Sequence, residues 1–460
     1  MLSTNTIVNN YRVSNTDRIL YVSIFLCINL VEMSKEESLL KSYFTFISNF
    51  SHDRAREVVE REKDVVRTGP GSTFNQLVVG LVSLAGAEKQ YLSLSFLLPR
   101  TSSVFLRKEQ SLKSVYQSIL LDVRNAMELE ADVLVSRTCE DLLRLLQVRI
   151  TMIGVYEKLC QFSSSTSSDS YTELVTTLKT VLEEIQLSPS ELCDPWIIVL
   201  RYEAGVLLDC LTLTITMLEW NFFDSVMLLQ RIGESLAMWD QVVQARETRK
   251  LSFASSWLRG VSGSVEPHLY LWLQKLKSSL LSKFSLYFYS TLSQQTRDST
   301  EMKVLCAKLS VDHTARLSSF QKRLDCQSVS ILYEAAGQGY QGRPGYHFQD
   351  TSDQAAHSGL ELFPLVFSTG QPEPHWPNIV MIISDLHHAE QLKADRTVHF
   401  FDGGVGATYF IHRIEQRFYI VLIFEGRRNE KDSAINSFIQ ETASQLSCVR
   451  IFTSLKPGYK

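Results

Sequence analysis

The stretch TYFIHRIEQRFYIVLIF, from Thr408 to Phe424, decides the fold class of this chain. It contains two runs rich in β-branched and aromatic residues, Thr408–Arg413 and Phe418–Phe424, which are separated only by Ile414–Arg417. Residues of these types favour β-strands, and so short a connection joins strands as an antiparallel pair. The stretch therefore predicts a β-hairpin that belongs to an antiparallel sheet.

Other short runs near the hairpin share its composition and are bounded by Gly, Asp or Asn. These further predicted strands are Val329–Tyr333, Ile379–Ser384, Val398–Phe401 and Val449–Thr453. Asp432–Leu446 differs from them, because its apolar residues recur at helical spacing. One helix over one face of an antiparallel sheet predicts an α+β domain rather than an α/β domain.

The residues before this domain have the apolar period of α-helices, from Ser34 to about Thr296. One segment begins with Ser170 and Glu173, which have capping-box spacing, and it carries Leu174, Leu178, Val181, Leu182 and Ile185 on one face. The most hydrophobic stretch, Val206–Leu218, is interrupted by Asp209 and by threonines. That interruption favours a central helix of an antiparallel bundle over a membrane span.

These patterns divide the chain into three parts. Residues 1–33 are an extension, residues 34–296 form a helical bundle domain, and residues 297–460 form an α+β domain with a long loop at 335–374. A loop as long as 335–374 usually either carries function or lacks fixed structure. A long helix from about His268 to Gln295 is expected to bridge the two domains.

The composition is that of a folded protein, with 45% hydrophobic and 21% charged residues in a chain of 460. The net charge of −4 provides no basic field, so we expect no nucleic-acid partner. Eight cysteines are scattered without any C-x-x-C pair. They are predicted to be reduced thiols of a cytosolic protein.

The extension contains an apolar run of 13 residues, Ile19–Val31, which follows Arg18 and ends at Glu32. It resembles a signal peptide only superficially, and it is shorter than the roughly 20 residues of a membrane-spanning helix. One interpretation is a normal cytosolic start at Met33, in which case residues 1–32 are an upstream extension or follow from a wrongly assigned start. A membrane anchor specific to one isoform is the alternative.

A literal Gly-x-Gly-x-x-Gly motif occurs at Gly337, Gly339 and Gly342, just after a predicted strand. A dinucleotide site needs the third glycine to open a helix whose N–H groups hold the pyrophosphate. Here Gly342 is followed by Arg343 and Pro344, and no helix is predicted. The motif therefore indicates a glycine-rich loop, and no cofactor is expected.

The histidines invite a metal hypothesis, because nine of the ten lie at or after His268. The candidate ligands are His347, His375, His387, His388 and His399, but none has the spacing of a known zinc motif. The chain also lacks a G-x-S-x-G elbow and a P-loop. Neither a metal site nor an enzyme is predicted.

An interaction surface remains as the predicted functional feature. Trp376 lies where the long loop rejoins the sheet, so it either anchors a partner or fixes the loop to the core. Tyr340, Tyr346 and His347 in the glycine-rich loop present the same two alternatives. These four residues are the predicted partner-binding residues.

Several short strings of the sequence resemble one known protein family. They are Ala87-Glu88-Lys89 with Tyr91, Arg246-Glu247-Thr248, the run His268–Tyr289, Glu301-Met302-Lys303, Tyr340-Gln341-Gly342, Gly345-Tyr346-His347, His375-Trp376-Pro377-Asn378 and Ser454-Leu455-Lys456-Pro457-Gly458. They occur in order across both domains. In this respect the chain resembles the small-subunit family of the KICSTOR complex.

The resemblance implies a non-enzymatic scaffold without catalytic or cofactor-binding residues. Its expected partners are other KICSTOR subunits and the GTPase-activating complex for the Rag GTPases. It would be cytoplasmic and recruited to the lysosomal surface without a direct membrane span, where it would lower TOR-kinase signalling when nutrients are scarce. The chain departs from the family in residues 1–32 and at Phe348, where relatives tend to carry a histidine.

The residues themselves leave another class of function open. The α+β domain is alternatively a small-ligand or GTPase-binding module that uses the glycine-rich loop. Support for GTPase binding comes only from analogy with other small sheet-and-helix modules.

Overall fold

The computed structural model describes residues 34–66, 74–98, 111–129, 133–188, 191–253, 267–335 and 363–456. These residues contain sixteen α-helices and a five-stranded antiparallel sheet, which confirms the predicted α+β class. The extension 1–33, the glycine motif, Tyr340, Tyr346 and His347 lie outside the described residues.

The elements are numbered here in chain order. The helices of the N-terminal part are α1 (Lys35–Ser48), α2 (His52–Val66), α3 (Phe74–Leu92), α4 (Leu112–Leu129), α5 (Val133–Leu159), α6 (Ser168–Gln186), α7 (Asp194–Leu218), α8 (Phe222–Phe253) and α9 (His268–Tyr287). They are followed by α10 (Tyr289–Gln295), α11 (Ser299–Cys306), α12 (His313–Leu324), β1 (Ser328–Tyr333), β2 (Leu365–Ser368), α13 (Trp376–Ser384), α14 (Leu386–Lys393), β3 (Val398–Asp402), β4 (Ala407–Glu415), β5 (Phe418–Glu425), α15 (Ser433–Leu446) and α16 (Val449–Thr453).

Helix α7 is the central helix of the bundle and packs against α1, α6, α8 and α9. Pro195 lies in its first turn, where a backbone N–H has no helical acceptor. The low helix propensity of its threonines is offset by the burial of its many apolar side chains. Asp209 accepts a hydrogen bond from Arg231 Nε of α8 at 2.7 Å. The predicted central bundle helix is confirmed. No helix in the described part of the chain is long and apolar enough to cross a membrane.

Helix α6 has the apolar face that the sequence predicts, with Leu174, Leu178, Val181 and Ile185 buried. Its predicted start is wrong. The helix begins at Ser168, and the N–H of Ser170 donates to the carbonyl of Ser167 at 3.1 Å. Ser170 therefore lies inside the first turn, and the capping-box spacing with Glu173 is not used.

A buried ion network lies at the centre of the bundle. Arg149 of α5 donates from Nε and Nη2 to the two carboxylate oxygens of Glu88 in α3, both at 2.8 Å. Its Nη1 donates to Glu203 of α7 at 2.5 Å. Arg149 and Glu203 are fully buried, and Glu88 is 1% exposed. One cation thus joins three helices.

The remaining acceptor positions of the two carboxylates are filled by aromatic side chains. Tyr116 and Trp196 donate to Glu88 at 2.7 and 3.2 Å, while Tyr91 and Tyr156 donate to Glu203 at 2.5 and 3.1 Å. Burial is the first cause that raises the pKa of each of these tyrosines, so their hydroxyls stay protonated and donate. Buried charge of this kind is tolerated only when its hydrogen bonds are complete.

The sheet has the strand order β2-β1-β5-β4-β3, with all neighbours antiparallel. One face packs on the bundle, α12, α15 and α16 through residues such as Phe418 and Leu422. The other face forms a second core with α13 and α14 through residues such as Ile411 and Val421. The predicted hairpin and the predicted helix over Asp432–Leu446 are confirmed, with Asp432 as the N-cap.

A β-bulge connects the sheet to the bundle. In β4, Arg413 pairs with Tyr419 and Glu415 pairs with Phe418, so one extra residue turns Glu415 toward the bundle. There its two carboxylate oxygens accept from Lys283 Nζ at 2.7 Å and from the Tyr287 hydroxyl at 2.5 Å. Both donors come from α9. The single helix predicted from about His268 to Gln295 is instead two helices, because α9 ends at Tyr287 and α10 begins after Phe288.

Two predicted strands are wrong, and one strand was missed. Ile379–Ser384 lies in helix α13, and Val449–Thr453 is helix α16. The predicted loop 335–374 contains the edge strand Leu365–Ser368, which pairs with β1. These short apolar runs have no decisive period, so the elements that cover them determine their conformation.

Candidate functional site

The candidate site is the outer surface of α13 and α14, on the sheet face opposite the bundle. Ile379, Ile382 and Ile383 of α13 pack into the second core, with Leu392 of α14 beside them. The opposite sides of these helices carry the exposed residues. We call the surface formed by Trp376, Pro377, Met381 and Leu386 the α13–α14 surface.

Local sequence explains why α13 begins where it does. A 3₁₀ turn at Glu373–His375 leads directly into the helix, and Pro377 lies in its first turn. Proline is well suited to that position because its φ is already helical and its missing N–H is not needed. The helix ends before Asp385, whose carboxylate then caps α14 by accepting from the His388 N–H at 3.1 Å.

A partly buried polar cluster fixes the start of α13 to the sheet. Asn378 Nδ2 donates to Asp402 at 2.9 Å and to the Tyr409 hydroxyl at 3.2 Å. That hydroxyl lies 2.8 Å from His375 Nδ1. Since Tyr409 accepts from Asn378, its own proton is available to donate to a neutral His375. Burial lowers the pKa of His375 and raises the pKa of Tyr409, which favours these protonation states.

Two large apolar side chains project from the helices that this cluster holds. Met381 is 58% exposed and Leu386 is 77% exposed. Pro377 lies four residues before Met381 on the same side of α13 and is also exposed. Charged residues such as Asp385 and Glu390 lie beside them and are exposed. An apolar centre with a polar rim is the usual composition of a protein-binding patch.

The structure places one of the four predicted partner-binding residues. Trp376 is half-buried at the start of α13 and packs against the second core, so it fixes the chain and still presents part of its ring. Tyr340, Tyr346 and His347 lie outside the described residues. For these four residues partner binding stays a prediction.

Sequence reasoning missed Met381 and Leu386, because it assigned Ile379–Ser384 to a strand. A signal was present in Pro377 and in the spacing of Ile379, Val380, Ile382 and Ile383, which lie on one side of a helix. With that helix assigned, Met381 falls on the opposite side and stands out as an exposed apolar residue.

Of the candidate metal ligands that the structure describes, the neighbours His387 and His388 have ring centres 5.9 Å apart, but no third candidate ligand completes a site there. His375 bonds Tyr409, His387 bonds Gln391 at 2.8 Å, and His399 bonds the Arg428 carbonyl at 3.1 Å. Within the described ranges no group of three or more His, Cys, Asp or Glu residues is arranged to hold a metal ion.

Acidification is expected to loosen α13. The pKa of His375 is lowered by folding, so the unfolded chain binds the proton more readily and stability is lost as the pH falls below about 6.5. Protonated Nδ1 would no longer accept from Tyr409. We expect amide exchange in residues 379–384 to rise on going from pH 7.5 to pH 5, measured by hydrogen exchange and corrected for its intrinsic pH dependence.

The matched variants for this experiment are His375→Asn and His387→Asn. The first is expected to make exchange in α13 nearly independent of pH. The second changes an exposed histidine of α14 and should leave the response intact. An equal pH response in all three proteins would contradict the role of His375.

Comparison with known proteins gives consistent matches along nearly the whole chain. The sequence profile of a family described as KICSTOR complex C12orf66 like matches residues 30–460. KICSTOR subunit 2 of Danio rerio is 36% identical over 447 residues, covering 93% of this chain and 97% of the relative. KICSTOR subunit 2 of Xenopus laevis is 34% identical over 453 residues, covering 93% of this chain and 98% of the relative.

Proposed function

This chain belongs to the KICSTOR complex C12orf66 like family, and we propose that it acts as a non-catalytic scaffold subunit of a KICSTOR complex. The relatives' name supports other KICSTOR subunits as its partners. The observation that carries a scaffold role is the α13–α14 surface, where Met381 and Leu386 are exposed on helices that are firmly attached beneath. Exposed apolar residues on a rigid base are typical of binding sites for proteins.

The wider role follows from the family resemblance in the sequence. We propose that the complex recruits the Rag GTPase-activating complex to the lysosomal surface and lowers TOR-kinase signalling when nutrients are scarce. In this proposal the chain is cytoplasmic and reaches the membrane through its partners. Tyr340, Tyr346 and His347 are proposed to contribute to partner binding together with the α13–α14 surface, which includes Trp376.

The double substitution Met381→Asp with Leu386→Asp is expected to weaken binding to the partner that covers this surface. Two apolar anchors would each become a charge that cannot be desolvated at low cost, and the loss of a single such anchor already costs about 2 kcal/mol or more, which is roughly 30-fold in affinity. The measurement is affinity purification of the tagged chain from its own cells, with quantitative mass spectrometry of the retained KICSTOR subunits.

A matched control is available on the bundle. Met227 of α8 is 57% exposed and Val133 of α5 is 82% exposed, close to the values for Met381 and Leu386. The variant Met227→Asp with Val133→Asp introduces the same charge and is expected to retain its partners. Full recovery of KICSTOR subunits by both variants would remove the α13–α14 surface from the proposal. Recovery of no KICSTOR subunit by the unaltered chain would contradict the scaffold function itself.

A further inference from the structure

Strand β3 forms an edge of the sheet, at the opposite side from β2. Its sequence, Val398-His399-Phe400-Phe401-Asp402, contains neither proline nor lysine, two residues that commonly protect an edge. Its inner side pairs with β4 over all five residues. Among the described residues, no backbone or side-chain group hydrogen-bonds to the outer side of residues 398–401. Within this part of the chain the outer side of β3 is therefore unpaired and can accept a further strand.

The two faces of β3 differ in chemistry. Val398 and Phe400 point to the second core, beneath α13 and α14. His399 and Phe401 point to the other face, where the His399 ring lies 5.0 Å from that of Phe410 and the Arg427 guanidinium lies 5.6 Å from the centre of the Phe401 ring. A strand added beside β3 would thus meet apolar side chains on one face and a cation on the other.

A cleft of about 310 Å³ runs beside the face that carries His399, between β3 and α15. Arg396 and Lys431 are among its lining residues. Among the described residues Arg396, Arg427 and Lys431 form no ion pair, although the carboxylates of Asp395 and Glu430 line the same cleft. Asp395, also in the cleft, already accepts from Ser164 at 2.9 Å and lies 3.5 Å from His412 Nε2. The cleft lining thus carries Arg396 and Lys431 against Asp395 and Glu430, and Arg427 above the Phe401 ring adds a third cation to this face of the sheet.

We propose that β3 receives an extended acidic segment of a partner protein as a sixth strand of the sheet. Successive side chains of a strand point to opposite faces, so the segment would alternate acidic residues toward Arg396, Arg427 and Lys431 with apolar residues toward Phe400. Its backbone would pair with the outer side of β3. This surface is separate from the α13–α14 surface, and the inference does not depend on the KICSTOR role.

A second copy of the chain is the competing occupant of the edge. Two β3 strands that pair across a two-fold axis perpendicular to the sheet would have their equivalent faces on the same side of the joined sheet. Arg396, Arg427 and Lys431 of both copies would then lie on one face of the joined sheet. Like charges in such an arrangement repel, which favours an acidic partner over self-pairing.

The test uses the full chain and two fluorescent peptides with blocked ends, one alternating Glu and Val over seven residues and one alternating Lys and Val. We expect saturable binding of the Glu-Val peptide by fluorescence anisotropy at low salt. The variant Arg396→Glu, Arg427→Glu, Lys431→Glu should bind it at least about tenfold more weakly, since three surface ion pairs each contribute a few-fold. The same variant should bind the Lys-Val peptide more tightly than the unaltered chain does.

The matched control reverses three exposed lysines of the bundle, with Lys113→Glu, Lys179→Glu and Lys275→Glu. It changes the net charge of the chain equally and is expected to keep the affinity for the Glu-Val peptide. An equal loss in both triple variants would reduce the effect to net charge and overturn the proposal. A peptide with four Glu followed by three Val cannot direct all its acidic residues to one face of a strand. If it bound as tightly as the alternating Glu-Val peptide, the proposal would also be overturned.

Hydrogen exchange locates the bound peptide without any substitution. Bound Glu-Val peptide should slow exchange in residues 398–402, and the outward N–H groups of this strand should show the largest protection. Protection confined to other elements would refute the proposed site. A concentration-dependent dimer of the unaltered chain, with protection of the same residues in the absence of peptide, would assign the edge to a second copy instead.

Discussion

Replacing Arg149 with methionine is expected to lower the free energy of unfolding by about 3–5 kcal/mol, the usual cost of removing one partner from a buried ion pair. The substitution leaves Glu88 and Glu203 as two carboxylates at the centre of the bundle, where they are 1% and 0% exposed. The four aromatic donors that remain cannot neutralise two negative charges. Urea unfolding followed by far-ultraviolet circular dichroism measures the change.

Neutral replacements of the carboxylates separate charge from packing. The triple variant Arg149→Met, Glu88→Gln, Glu203→Gln has no buried charge and is expected to be more stable than Arg149→Met alone. Glu203→Gln alone should have a milder effect, because the bidentate pair of Arg149 with Glu88 stays intact. If Arg149→Met unfolded at the same urea concentration as the unaltered chain, the network would have no stabilising role.

Replacing Glu415 with alanine is expected to cost a similar amount, about 3–5 kcal/mol, because it leaves the Lys283 ammonium buried without its acceptor. Lys283 is 1% exposed, and the Tyr287 hydroxyl loses the same partner. The damage should be centred where α9 meets the ends of β4 and β5. Urea unfolding gives its size, and hydrogen exchange of residues 283–287 and 415–418 gives its location.

A double replacement tests the charge argument at this junction. Lys283→Met with Glu415→Leu removes both buried charges, and it is expected to be more stable than Glu415→Ala. Lys275→Met is the control on the same helix, since Lys275 is exposed. Its effect should be within about 0.5 kcal/mol, as for most surface substitutions. A double variant no more stable than Glu415→Ala would show that packing around Tyr287 and Phe418, rather than charge, holds the junction.

The parts of the fold with a clear local period were predictable. The hairpin followed from two β-branched and aromatic runs with a short connection, and α15 followed from its apolar face after Asp432. Helix α7 was recognisable because a long apolar stretch interrupted by polar residues fits a buried helix. In each case the signal lies within about twenty neighbouring residues, so it is present before any tertiary contact forms.

The two false strands show where local signals are too weak. Ile379–Ser384 is rich in β-branched residues, which favour strands, yet it is helical in α13. The sheet face opposite the bundle is apolar and has to be buried, and α13 packs four apolar side chains against it. Val449–Thr453 has only five residues and continues the packing of α15 as a short helix. Tertiary burial outweighs propensity in both places.

The candidate site was predicted only in part. Trp376 marks its position, because the sequence shows an aromatic residue where a long loop rejoins the domain. Met381 and Leu386 could not be identified without knowing that the segment is a helix, since exposure depends on which side faces the sheet. The open edge at β3 required the strand order as well.

The sequence by itself determined the helical bundle, the hairpin and the α+β class, because hydrophobic period and turn length act between near neighbours in the chain. Only the tertiary structure decided which charges pair. Arg149 meets carboxylates 61 and 54 residues away, and Lys283 meets one that is 132 residues away. A mid-helix charge such as Arg149 signals that a partner is needed, but its identity depends on which helices become neighbours. That choice is made by packing the whole core.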